Sequence, residues 1–320
     1  MDQGIVLLNE AVEGVFEAAE PAALARMHPA WAREVRELGR PEAVELPLAS
    51  GGSLSGLVWP GYPAPARVFV CGECASTMDA ARWLAAEEAL GPWDAVLAAR
   101  QLQGRGQLRR EWTSPAGNLY ASLCWPGPPG AGFAAAAWAQ LTPLVAGWML
   151  AKGLGELGVP LAIKWPNDLL WGEAKVGGLL AEERRGATVV GVGLNLASAP
   201  DASRLRADGA VPAAALAQAG LDLPPLALWT RLVKYGQFCY TEFLHKAGSR
   251  DFIQRFNRWL AWTGRPVTVH EGSRPPFQAT VLGAADDGGL RLVREGLELT
   301  LYSGSVTPAG PDNAPRAPAG

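Results

Sequence analysis

The sequence predicts an α+β fold, and three observations predict it. Strand-like runs at 68–70, 96–100, 119–125 and 161–164 are separated by helical or loop segments, and two more at 175–183 and 188–196 look paired. One stretch, 131–151, is apolar over many turns of helix. After Gly264 the pattern changes to four short strands at 266–270, 277–283, 289–294 and 298–303, the spacing of a small barrel-like module.

The elements follow in chain order. Residues 1–40 intersperse acidic with apolar positions (Glu10, Val12, Glu13, Val15, Phe16, Glu20), a pattern of short amphipathic helices that Pro21, Pro29 and Pro41 interrupt. The Gly-, Ser- and Pro-rich stretch 46–65 reads as strand fragments and turns. The main domain starts near Arg67: strand 68–70, loop 71–76, then a helix over 78–89 that Ser76 or Thr77 can cap. An Arg-rich loop, 101–112, precedes strand 119–125. The stretch 131–151 has the length of a membrane span, but Gln140, Thr142 and Pro143 lie within it and soluble-looking segments flank it, so it reads as a buried helix kinked at Pro143. Pro166 forces a turn after strand 161–164. Helices cover 221–243 and 251–259. The resulting organisation is an N-terminal extension of unassigned role (1–65), a main domain (66–263), the barrel-like module (264–307) and a tail rich in Pro, Gly and Ala (308–320).

Composition narrows the function classes. The 320 residues are 49% apolar and 18% charged, enough to bury a core, and the net charge of −3 gives no global reason to expect a nucleic-acid binder. Four cysteines, of which Cys71 and Cys74 form a CxxC, and three histidines make neither a disulfide framework nor a zinc site. They read as free thiols in a reducing compartment, and no basic segment followed by an apolar one opens the chain. The expected location is cytoplasmic.

Chemistry concentrates in four places. Lysine is rare, and two of the five flank one turn: Lys164 ends an apolar strand, where an ammonium can meet a phosphate or a polarised carboxyl, and Lys175 follows, where it could equally balance Glu173. Asn167 and Asp168 between them could hold a metal or a ribose hydroxyl; a solvent-facing strand-end Lys164 is the plainer alternative. In the second place, Arg105, Arg109 and Arg110 sit between glycines and Trp112 in a loop suited to gripping an anion, or merely to being solvated. That loop is neither a P-loop nor a dinucleotide-binding turn. Third, Ser76 and Thr77 could donate to a ligand carbonyl or simply cap a helix. Fourth, Asn195 interrupts an apolar strand, its amide needing a ligand edge or a structural partner.

Taken in order, these motifs resemble the biotin protein ligase family, related more distantly to lipoate ligases. The resemblance runs over 69–196 through Ser76-Thr77-Met78, Gln101 to Trp112 with Ser114, Gly117 and Asn118, the intact Lys164-Trp-Pro-Asn-Asp168, then Lys175 with Gly177 and Gly178, and Gly191 to Asn195. It continues more weakly to Gly304 and Val306. It implies a mixed-sheet central domain like that of class II aminoacyl-tRNA synthetases with an SH3-like C-terminal β-barrel. It also implies ATP-dependent adenylation of biotin, with Mg2+, followed by transfer to a lysine of a biotin carboxyl carrier protein or carboxylase domain. Lipoate or octanoate attachment, or a catalytically weak biotin-binding relative, are the alternatives. The resemblance implies Lys164 and Arg105 as catalytic, Ser76, Thr77, Gln101, Gly177 and Gly178 around the acid, and Arg105, Arg109, Arg110, Trp112, Asn167, Asp168, Lys175 and Asn195 around the nucleotide. The metal ligands stay open. Met78 stands where the family usually has asparagine, Gln107 where it has an arginine, and Arg109 where it often has glycine. The first 65 residues lack a basic recognition helix and wing, so nothing points to DNA or to a membrane, while homodimerisation stays open.

Overall fold

The computed structural model describes residues 4–107, 110–184, 186–201 and 211–309. Ten strands make one mixed sheet, ordered β2-β3-β1-β4-β5-β6-β10-β9-β8-β7. The strands are β1 (Gly4–Leu8), β2 (Glu42–Pro47), β3 (Ser53–Trp59), β4 (Arg67–Cys74), β5 (Ala95–Gln101), β6 (Leu119–Cys124), β7 (Ala162–Lys164), β8 (Asp168–Trp171), β9 (Ala174–Arg184) and β10 (Ala187–Leu194). Strand β1 pairs parallel with β4, which pairs parallel with β5, and every other neighbouring pair is antiparallel. A five-stranded antiparallel sheet, β14-β13-β12-β11-β15, follows: β11 (Pro266–His270), β12 (Phe277–Ala284), β13 (Leu290–Arg294), β14 (Leu297–Leu301) and β15 (Ser305–Pro308). The α+β expectation and the small all-β module are both present.

Several local expectations are corrected. The prolines at 21 and 29 do not break helices; they start α1 (Pro21–Met27) and α2 (Pro29–Leu38). A first-turn proline lacks only an N–H that no helical carbonyl would have accepted. Residues 71–74 are strand rather than loop, because pairing with β5 continues to Cys74↔Gln101. The extension drawn at 1–65 is not a separate unit in the sheet: all five residues of β1 are buried between β3 and β4.

Helix α4 (Ala135–Glu156) runs through Pro143 and buries its surface against the sheet and α5 (Pro225–Cys239). Among its buried residues, Leu141, Leu144, Leu150 and Leu154 contribute about 1.5–3 kcal/mol each by leaving water. Among the described residues no helix is long and apolar enough to cross a membrane. On the opposite face of the sheet lies α3 (Thr77–Ala86), with Ala80, Ala81 and Leu84 buried. The edge at β7 is covered by 259–261, whose backbone bonds Ile163 at 2.7 and 2.8 Å. α6 (Ser249–Phe256) packs against α4. Trp165 Nε1 donates to Gly288 O at 2.8 Å, and Trp262 and Arg265 both bond Glu173, so the C-terminal sheet is tied to the strands that carry the site.

Candidate functional site

The parallel pair β4–β5 ends with Cys74 opposite Gln101, which delivers Ser76 and Thr77 beside Gln101. Ser76 is the N-cap of α3, its hydroxyl accepting from Met78 N at 3.3 Å. Thr77 donates to Gln101 Oε1 through both its backbone N (2.9 Å) and its hydroxyl (3.1 Å), and accepts from Ser122 Oγ at 2.8 Å. Gln101 Nε2 donates to Ser114 Oγ at 3.0 Å, and Ser114 to Trp112 O at 3.0 Å. Ser76 is thus both a cap and a wall of the pocket. Thr77 and Gln101 have each other's orientation fixed and retain spare donor or acceptor capacity.

The Arg-rich loop folds back on itself. Trp112 N donates to Gly104 O and Gly106 N to Arg110 O, both at 2.8 Å, and Arg105 bridges to Glu111. A Cβ on Gly104 would stand 2.3 Å from Trp112 O, so the loop closes only on glycine. The closure lays the Trp112 indole on Gly178 and Gly193: Cβ atoms there would meet its ring at 3.2 and 2.6 Å. Lys175 Nζ sits 5.2 Å from the centre of the same ring. Met78, the residue in place of the family's asparagine, fills the space above Gly191, where a Cβ would lie 2.8 Å from its sulfur. Arg105, Gln107 and Arg110 line the pocket. Arg109 lies outside the described residues.

The third wall is a buried charge cluster. In the β7–β8 hairpin Lys164 pairs across from Asp168, and β8–β9 sets Asp168 across from Gly178, beside Lys175. Lys164 Nζ is 2.8 Å from Asp168 Oδ2 and Lys175 Nζ 2.5 Å from Oδ1. Burial alone would push the Asp168 carboxyl up; the Lys175 and Lys164 ammoniums and their hydrogen bonds outweigh it and hold the group below the ordinary carboxylate range. This decides the ambiguity over Lys175, since Glu173 bonds Arg265 and Trp262 instead. Asn167 donates to Leu179 O at 2.5 Å.

One pocket therefore collects Ser76, Thr77, Gln101, Arg105, Arg110, Trp112, Lys164, Asn167, Asp168, Lys175 and Gly178 from distant stretches of chain. Gly177 and Asn195 are not among the residues lining it. Gly177 backs onto Leu194, 2.5 Å from where its Cβ would be, and the Asn195 amide donates to Ala214 O at 3.2 Å. Sequence reasoning missed Asp79, whose Oδ1 receives Arg105 Nη2 at 2.6 Å, and Ser305, which reaches the pocket beside Gly304 at the start of β15. An acidic residue three positions into a helix carries no signal of its own, and β15 is only four residues long.

These residues do not build a cage for Mg2+. Among the described residues no group of three or more His, Cys, Asp or Glu converges, and both Asp168 oxygens already face ammoniums.

Comparison with known proteins places this geometry. The family model described as Biotin/lipoate A/B protein ligase family matches residues 75–197, the segment that supplies most of the pocket. The biotin--[acetyl-CoA-carboxylase] ligase of Paracoccus denitrificans is 33% identical over 210 residues, 62% of this chain and 83% of that protein. The bifunctional ligase/repressor of Escherichia coli is 29% identical, over 67% of this chain and 66% of its own length. Among solved structures, the biotin protein ligase from Aquifex aeolicus in complex with biotin and ATP superposes with a TM-score of 0.59 at 25% identity, covering 75% of this chain and 97% of that one. By fold, by motif order and by identity across most of a characterised relative, this chain belongs to the biotin/lipoate A/B protein ligase family.

Proposed function

We infer that the protein activates biotin with ATP to biotinyl-AMP and transfers the biotinyl group to a lysine of a biotin carboxyl carrier protein. The observation that carries the reading is the pocket in which two lysines on one buried carboxylate meet the arginine loop. Relatives named as biotin ligases, and a similar fold holding biotin and ATP, support it.

In the first step a carboxylate oxygen of biotin attacks the α-phosphorus, the bond to the bridging oxygen breaks, and pyrophosphate leaves with that electron pair. Charge builds on the α-phosphate oxygens, where preorganised cations count most because they need not reorganise. Lys164, Arg105 and Arg110 supply that charge, with Lys175 beside them. Ser76, Thr77 and Gln101 present the polar edge that the ureido ring of biotin needs. Asp168 orients the lysines: a carboxylate held below its ordinary range, with both oxygens engaged, is a poor base. In the second step the carrier amine attacks the acyl carbon, AMP departs with the bonding pair, and the amine loses a proton. Trp112 and the closed loop keep water from the mixed anhydride meanwhile. Free thiols, all four cysteines being unpaired and buried, fit a cytoplasmic setting. The N-terminal strands serve the sheet, which supports a role without DNA.

Purified protein incubated with ATP, Mg2+ and biotin, lipoate or octanoate tests the reading through acid-dependent pyrophosphate release and label on a carrier domain. Biotin is expected to stimulate both. Release without biotin dependence, or stimulation by lipoate alone, overturns it.

A further inference from the structure

The pocket's edge carries an ion network that the reaction as described leaves unused. Arg105 of the loop gives Nη2 to Asp79 Oδ1 at 2.6 Å, and Arg82, one turn further along α3, gives Nη1 to the same oxygen at 3.2 Å. The other side of the Arg82 guanidinium meets Glu182 on β9. Loop, helix and strand are therefore joined through Arg105, Asp79, Arg82 and Glu182. The Arg82 side chain is only 15% exposed, against 38% for Arg105 and 37% for Asp79.

An isolated exposed pair would contribute little. Here the carboxylate is fixed from behind by a largely buried arginine, so its direction is set before the loop arrives. A guanidinium has five donors in a rigid fork, and the bond to Asp79 uses one. Arg105 also lines the pocket. We propose that Asp79, braced by Arg82, is a positioning residue that orients the Arg105 guanidinium toward the phosphates of the bound nucleotide. This rests on the adenylating reading above. Without Asp79 the long Arg105 side chain regains its rotamers and must be ordered by the nucleotide itself, which weakens nucleotide binding and leaves the acid's site alone.

Biotin-dependent ATP–pyrophosphate exchange tests it with Asp79→Ala, Asp79→Asn and Asp79→Glu, each alone and in an Arg105→Ala background. Asp79→Ala is expected to raise the KM for ATP about 5- to 20-fold with the KM for biotin within about twofold. Asp79→Asn, which keeps the size and loses the charge, falls between, and Asp79→Glu recovers most of the loss. In the Arg105→Ala background Asp79→Ala adds less than about twofold, since both changes remove one interaction. An unchanged KM for ATP in Asp79→Ala and Asp79→Asn, or effects of Asp79 and Arg105 that multiply, overturns the proposal. If wild-type protein shows no exchange, the adenylating reading fails instead. ATP binding by calorimetry then still decides the role of Asp79, which requires weaker binding in Asp79→Asn than in wild type.

Discussion

Replacing Asp168 with Asn removes the one carboxylate that two lysines share. Severing a buried ion pair costs about 3–5 kcal/mol because the abandoned charge stays desolvated. The Lys164 side chain is 9% exposed, whereas Lys175 is 28% exposed and can relax outward. The asparagine carbonyl keeps an acceptor for one ammonium, while its amide NH2 opposes the other. The net loss is therefore expected at about 3–4 kcal/mol, the lower part of the range for a severed buried pair. At about 1.5 °C per kcal/mol for a chain of this size, the melting temperature falls by about 4–6 °C. The same change frees both amines from their set positions, and a displacement of about 1 Å at the reacting centre can cost about 100-fold in rate. Thermal unfolding and biotin-dependent pyrophosphate release are the assays. The sign with pH is also determined. A carboxyl held below its ordinary range stabilises the fold fully above its unfolded pKa, and that stability is lost as pH falls through the lower native value. The gap between wild type and Asp168→Asn should thus be full at neutral pH and close in strong acid. A variant that melts with wild type at pH 7 and adenylates at a comparable rate refutes the role given to the carboxylate.

Three further outcomes follow from particular contacts. Burial lifts the carboxyl of Glu34, which accepts from Ala227 N at the start of α5, to about 7 from 4.5. The native chain then holds a proton that the unfolded chain has released, so stability falls as pH rises from 4.5 to 7, by at most about 3 kcal/mol. Glu34→Gln should flatten that slope in denaturant unfolding at pH 5 and 8; an unaltered slope assigns it to another group. Asn118 Oδ1 accepts from the backbone N–H groups of Leu196, Ala197 and Ser198 at 2.8–3.0 Å. Asn118→Ala strands these amides and should cost about 2–4 kcal/mol, with a loss under about 1 kcal/mol counting against the pin. Gly193→Ala drives a methyl into the Trp112 ring and should cost about 1–3 kcal/mol. The indole fluorescence lost on Trp112→Phe should differ between the wild-type chain and the Gly193→Ala background if the ring rests on that glycine.

How far the site is legible in the sequence depends on whether its contacts are local. Lys164 and Asp168 are four apart across a tight turn, so their meeting follows once strand and turn are recognised. Lys175 is different: Glu173 is its nearer carboxylate in sequence, but the register of β8 on β9 turns Lys175 to Asp168 and leaves Glu173 to Arg265. No single-strand pattern contains a register. The basic loop is recognisable by composition, whereas its tie to Asp79 joins residues 26 apart through a helix start that reads only as a good first turn. Gly178 and Gly193 are legible as places of close approach; that Trp112 makes the approach is a tertiary fact.

For the same reason the first 65 residues resist a role when taken as an extension. Their apolar residues have no periodicity that closes a core of their own, because their partners lie beyond the boundary. Ile5 and Leu7 share a cluster with Val68 and Val70, and Val6 and Leu8 one with Phe69 and Cys71. β1 thus carries apolar side chains to both faces of the sheet, as a strand covered on both faces must. Helix α2 adds Glu34 as the partner of backbone amides at the start of α5, on the far side of the pocket-bearing sequence. A cut at residue 65 would leave β4 as a bare edge and α5 without that partner. β4 is also the strand that sets Ser76 and Thr77 against Gln101. The N-terminal segment therefore bears on the chemistry without touching it, by holding straight the strand from which the first wall of the pocket is hung.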